Sequence, residues 1–187
     1  MAAKILKSAT ALLILCGFYF IGTGLWIPAK AVLAQYLLKN AWYKSTTLQA
    51  DVKPWPWADT WPVGRLRNDR LGVDLIILEG DSGEVLAFGP GHLSASSPPA
   101  GKGHCILAGH RDTSFTFMRD LVPGDLLTLE GWASRRVYRV VRTDIIEASQ
   151  LYLDGDQAGM LTLITCYPFD AIIPGTPLRF VVTASVV

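Results

Sequence analysis

Cysteine and histidine are scarce in this chain, three of each in 187 residues, and its basic residues never form a run. Cys16, Cys105 and Cys166 are too few and too scattered for a disulfide-stapled scaffold. A formal net charge of +1 without a basic patch lacks the electrostatic footprint that nucleic-acid binding needs, so that class is excluded. No Cys-x-x-Cys or His-x-x-x-His spacing joins His104, Cys105, His110 and Cys166 into a metal site. Asp74, Glu79, Asp81 and Glu84 are spread through turns rather than set at calcium-loop spacing. No metal and no other cofactor is expected.

Charge is missing altogether from Ala9 to Ile27, nineteen residues in a row. That is about enough helix to cross a hydrocarbon core of ~30 Å. Lys4 and Lys7 precede the run and only Lys30 follows closely, so the positive-inside bias sets the N-terminus in the cytoplasm and the rest outside. A cleaved signal peptide is the alternative, since Ala29-Lys30-Ala31 offers small residues to a peptidase, but the run exceeds the ~7–15 apolar residues usual for a signal core. Either reading exports the remainder, and the anchored one makes it a single-pass membrane protein with an extracytoplasmic domain.

These features divide the chain into a cytoplasmic N-terminus (1–8), a transmembrane helix (9–27), a membrane-proximal helix with a linker (28–63) and a C-terminal domain (64–187). Between Ala29 and Tyr43 the apolar Val32, Leu33, Tyr36, Leu37 and Leu38 alternate with Lys30, Gln35 and Lys39 in an amphipathic helical pattern. From Thr46 to Pro62, Trp55, Trp57 and Trp61 interleave with Pro54, Pro56 and Pro62, which disfavours helix and predicts an extended linker. Beyond Gly64, short β-branched and aliphatic runs recur between turns: Val73 to Ile77, His104 to Ala108, Leu126 to Leu129, Arg136 to Ile145, Met160 to Cys166 and Pro177 to Val187. Strands without long intervening helices predict an all-β barrel or sandwich. The Gly-, Pro- and Ser-rich stretch from Phe88 to Gly103 is predicted to be a surface loop.

Three polar residues sit where chemistry would need them. His110 follows the run ending at Ala108 through Gly109, at a strand's C-terminal rim, and Cys166 ends its own strand in the same way. A loop from Tyr167 to Thr176, carrying Pro168, Pro174 and Gly175, returns the chain so that Arg179 comes back toward Cys166. A thiol needs a base or cation beside it to react as thiolate, and acyl transfer needs donors for the oxyanion; His110 and Arg179 are of the right types. Each has a structural alternative, a solvent-facing arginine above all, and nothing so far forces the His110 strand beside the Cys166 strand. Cys105, within the apolar run Cys105 to Ala108, reads as a small buried hydrophobe. His92 and His104 read as structural or surface residues.

The segments Ala108-Gly109-His110-Arg111-Asp112-Thr113, Leu161-Thr162-Leu163-Ile164-Thr165-Cys166 and Leu178-Arg179-Phe180, in that order, resemble the three catalytic segments of sortases. The most specific part is the strand end from Thr162 to Cys166, and the twelve residues between Cys166 and Arg179 also suit the family. The stretches Phe88-Gly89-Pro90-Gly91-His92 and Cys166-Tyr167-Pro168-Phe169-Asp170 look most like the sortases of Gram-negative proteobacteria (class GN). The resemblance implies an eight-stranded β-barrel with short helices, in which the His110 and Cys166 strands are neighbours. It implies a cysteine transpeptidase that cleaves protein substrates at a C-terminal Leu-Pro-x-Thr-Gly (LPXTG-like) sorting signal and passes the acyl group to an amine acceptor. Cys166 would be the nucleophile, His110 the proton donor and Arg179 the support for oxyanion or substrate. Thr165 would bond substrate or orient its neighbours. Asp112 is either a His110 orienter, by analogy with triads, or a solvated turn carboxylate.

Rival readings are weaker on order and context. A papain-like peptidase runs Cys before His, with the nucleophile opening a helix, the reverse of the order here. A cysteine endopeptidase of the same fold would release its substrates by hydrolysis, and a non-catalytic peptide-binding barrel would keep its function without Cys166.

Overall fold

Alternation of buried and exposed residues along short strands, rather than any long amphipathic helix, sets the architecture of the C-terminal part. The computed structural model describes residues 2–151, 157–173 and 175–187; Met1, and Pro174 of the expected loop, lie outside them. Eight strands follow one another: β1 (Pro62–Asn68), β2 (Val73–Glu79), β3 (Gly91–His92), β4 (Cys105–Ala108), β5 (Leu126–Glu130), β6 (Arg135–Glu147), β7 (Met160–Tyr167) and β8 (Leu178–Val186). They close into a barrel in the order β1-β2-β3-β4-β7-β8-β6-β5. This is the closed eight-stranded barrel that the resemblance implied.

Inside the barrel lie Leu66, Ile77, Cys105, Leu107, Leu127, Leu129, Tyr138, Leu161, Leu163, Val182 and Ala184, with Phe115 and Met118 from the β4–β5 connection. Burying such side chains contributes roughly 1.5–3 kcal/mol each, enough to make the closed barrel the stable state of these strands. The short helix α2 (Gly83–Leu86) is capped by the Ser82 hydroxyl, which accepts from the Val85 N–H.

The expected surface loop from Phe88 to Gly103 is more structured than its composition suggests. It contains β3, which pairs parallel with β2 and antiparallel with β4, and so stands between them in the barrel wall. Gly91 tolerates no side chain, because a Cβ there would run into the Gly80 carbonyl. His92 is buried, its Nδ1 3.0 Å from Glu79 Oε2 and its Nε2 3.0 Å from the Ser97 carbonyl. Both residues therefore hold the wall together.

The N-terminal helix α1 runs Ala2–Leu48 and contains Pro28. By length and composition it is apolar enough to cross a membrane. Leu13, Leu15, Phe18, Tyr19, Phe20, Leu25 and Trp26 are each more than 60% exposed, a display of apolar side chains that suits lipid better than water.

Met1–Tyr36 and Leu37–Val187 are separate compact units. The last turns of α1 fall in the second unit. The cause is packing: Leu38, Ala41 and Trp42, on the last turns of α1, are buried, and Leu38 and Trp42 join Ile76, Leu78 and Val85 in a second apolar cluster outside the barrel. Trp55 of the expected linker packs against that cluster, whereas Trp57 is 79% exposed. The Trp/Pro segment is irregular, as the prolines require, but it is docked rather than free.

Candidate active site at the barrel rim

Strand register assembles the site. Strands β4 and β7 pair in parallel, Cys105 with Leu161 through Ala108 with Ile164, and the Gly109 N–H continues the ladder by donating to the Ile164 carbonyl at 3.2 Å. Carrying that register two residues further sets His110 level with Cys166. Strands β7 and β8 pair antiparallel with Cys166 directly opposite Arg179. Cross-strand partners in such a pair project to the same face, their Cβ atoms about 4.5–5.5 Å apart.

The face follows from alternation. Leu161 and Leu163 on β7, Val182 and Ala184 on β8, and Cys105 and Leu107 on β4 point into the core. Cys166 and Arg179 have the opposite parity and stand on the outer face of the rim, and His110 follows two residues past the end of β4. Accordingly Cys166 is half-buried with a free thiol, Arg179 is half-buried and His110 is exposed. The adjacency that the residues alone left open is thus a consequence of parallel β4–β7 pairing.

Thr165 has the inward parity and is 2% exposed. Its hydroxyl donates to the Gly109 carbonyl at 2.7 Å. The bond ties the residue before Cys166 to the residue before His110. Gly109 itself is constrained from the other side: a Cβ there would lie 2.7 Å from the Phe115 ring. Asp112 is exposed in a turn and, among the described residues, makes no hydrogen bond or ion pair with His110.

Arg179 donates from Nη1 to the carbonyls of Thr176 at 2.6 Å and Leu178 at 2.9 Å. Its Nε and Nη2 donors have no protein partner among the described residues, so the guanidinium is fixed by one nitrogen and its other donors are uncommitted.

Three further features were not assigned from the sequence. Tyr167, Phe169 and Phe180 form an aromatic cluster with ring centroids 5.2–6.2 Å apart, flanking Cys166 and Arg179 in the chain. The Arg119 guanidinium lies 5.3 Å from the Phe169 ring centre. Arg111, 8% exposed, donates to the Ala171 and Ile173 carbonyls and to the Thr176 hydroxyl, tying the residues after His110 to the β7–β8 loop. The aromatic spacing was visible in the sequence, but Arg111's partners lie some sixty residues away, and no local signal announces them.

The second thiol of the barrel unit has another character. Cys105 is 1% exposed, and burial pushes its thiol up to about 12. At about pH 8 iodoacetamide is therefore expected to modify Cys166 of the folded chain and to reach Cys105 only after denaturation, as peptide mapping would reveal. Equal rates at the two cysteines in the folded chain would contradict this contrast. His104 is buried, its Nε2 2.8 Å from the Thr162 hydroxyl, and takes no part in the rim.

The sortase domain family model matches residues 66–187. The chain is 32% identical over 122 residues to sortase D of Bacillus subtilis (strain 168), the aligned region covering 64% of this chain and 61% of that one. It thus spans about 61% of the length of this curated relative. Among solved structures, a Clostridium perfringens sortase D5 transpeptidase aligns with a TM-score of 0.66 at 18% identity, covering 83% of this chain and 99% of the other. Sortase C1 from Streptococcus suis aligns with a TM-score of 0.59 at 25% identity, covering 67% and 73%. At 18% identity the first of these likenesses speaks to the fold alone.

Proposed function

Because this chain belongs to the sortase family, we propose that it is a cysteine transpeptidase whose nucleophile is Cys166, whose proton donor is His110 and whose oxyanion or substrate support is Arg179. The observation that carries the reading is the shared rim, where Cys166 is the register partner of Arg179 and the His110 segment adjoins through the β4–β7 ladder.

The Cys166 thiolate attacks the threonine carbonyl of a Leu-Pro-x-Thr-Gly-like signal, forming an S–C bond and a tetrahedral oxyanion that Arg179's uncommitted donors stabilise. Collapse breaks the C–N bond, His110 as imidazolium protonates the departing amine, and a thioester remains. An acceptor amine then attacks the thioester, its proton returns to the imidazole and the thiolate is released. Thr165 acts from beneath, holding the two rim segments in register through Gly109.

The N-terminal helix anchors the chain in the inner membrane with the N-terminus in the cytoplasm and the barrel in the periplasm; Lys4 and Lys7 ahead of the apolar run support that orientation. The Phe88–His92 and Cys166–Asp170 stretches support a place among the Gram-negative sortases.

The test is mass spectrometry of the chain incubated with a Leu-Pro-x-Thr-Gly peptide library with and without triglycine. Amine-capped peptide is the expected product, and the consumed sequences define the preferred signal. Cleaved but never capped peptide would replace transpeptidation with hydrolysis.

A further inference from the structure

We propose that Arg111 is a positioning residue, acting on the reaction by setting the place of Arg179 through Thr176; the inference rests on the role proposed for Arg179. Thr176 is bonded from both sides. Its hydroxyl accepts from Arg111 Nη1 at 3.2 Å, while its carbonyl accepts from Arg179 Nη1 at 2.6 Å. Arg111 Nη2 also holds the Ala171 carbonyl at 2.7 Å and the Ile173 carbonyl at 3.0 Å.

One buried guanidinium therefore fixes the loop that connects Cys166 to Arg179 at three points. Arg111 is the residue after His110, and its own carbonyl accepts from the Thr116 hydroxyl at 3.1 Å. A buried charge is costly unless its donors find partners, and these oxygens take three of the five N–H donors. The planar fork reaches all three at once, which the single ammonium of lysine cannot match.

The loop needs such a tie. Gly175 has a positive φ of 74°, and Ile172 and Ile173 are 98% and 75% exposed, so side-chain packing gives this stretch little support. Misplacement of a reacting or stabilising group by about 1 Å can cost on the order of 100-fold in rate, so a tie at this distance from the thiol matters kinetically.

The experiment is a double-mutant cycle in the full chain: Arg111→Gln, Arg179→Ala and both together, with kcat and KM for thioester formation measured separately on the peptide the wild type prefers. If Arg111 works through Arg179, Arg111→Gln lowers kcat/KM roughly 10- to 100-fold in the wild type. It does so less than about threefold where Arg179 is already alanine. Arg111→Lys recovers only part of the loss. Thr176→Val removes the bridging hydroxyl alone and is expected to show the same dependence on Arg179, keeping the test available should Arg111→Gln fail to fold. Equal fold-losses with and without Arg179 would overturn the proposal and leave Arg111 a loop staple. A wild type that acylates with no peptide would overturn the functional reading itself, so the two failures are distinguishable.

Discussion

Cys166→Ala is expected to abolish the proposed thioester formation and peptide transfer while leaving the barrel folded. Cys105, the other thiol of the barrel unit, lies in the core and is held protonated by burial. Loss of a covalent nucleophile typically costs on the order of 10³-fold or more. Stability should change little, within about 1 kcal/mol, because the half-buried thiol makes no hydrogen bond among the described residues and sits outside the core. Rates of peptide cleavage beside a thermal melt separate the two effects. Retained cleavage in Cys166→Ala would remove the nucleophile assignment, and a collapsed melt would make the cysteine a packing residue.

Trp42→Ala is expected to have the largest effect on stability among changes outside the barrel. Trp42 is 3% exposed on the last turns of α1, in the cluster with Leu38, Ile76, Leu78 and Val85. Truncating a buried tryptophan costs about 3–5 kcal/mol. In a unit of this size that lowers the melting midpoint by on the order of 10 °C. Trp57→Ala is the internal control, since a side chain 79% exposed should change stability by no more than about 0.5 kcal/mol. Comparable small shifts for both variants would mean that residues 37–48 are an accessory to the barrel rather than part of it.

Strand identity was legible because β-branched and aliphatic runs punctuated by Gly, Pro and Asp are a local signal. β2, β5, β6, β7 and β8 all lie on the runs that composition marks. What composition does not encode is which strand lies beside which. The parallel pairing of β4 with β7, which brings His110 level with Cys166, joins segments more than fifty residues apart and followed only from the family resemblance.

Three features escaped for the same reason. β3 is two residues long inside a Gly- and Pro-rich stretch, and only its neighbours on both sides make it a strand. The tail of α1 looks like a membrane-surface helix by its amphipathic pattern, because an apolar stripe does not say whether lipid or a barrel wall covers it. Arg111 sits inside the motif that carried the resemblance, yet its partners Ala171, Ile173 and Thr176 are carbonyl and hydroxyl oxygens of a distant loop. The direction of Thr165 was not legible either: strand parity turns it inward to Gly109, away from the face that Cys166 occupies.

The most direct test of the central claim is the intact mass of the full chain after brief incubation with a Leu-Pro-x-Thr-Gly peptide, followed by peptide mapping. The account predicts an adduct equal to the peptide's acyl portion through threonine, attached at Cys166 and released by hydroxylamine as a thioester should be. Peptide cleavage without any adduct on Cys166, or an adduct carried by another residue, would contradict it.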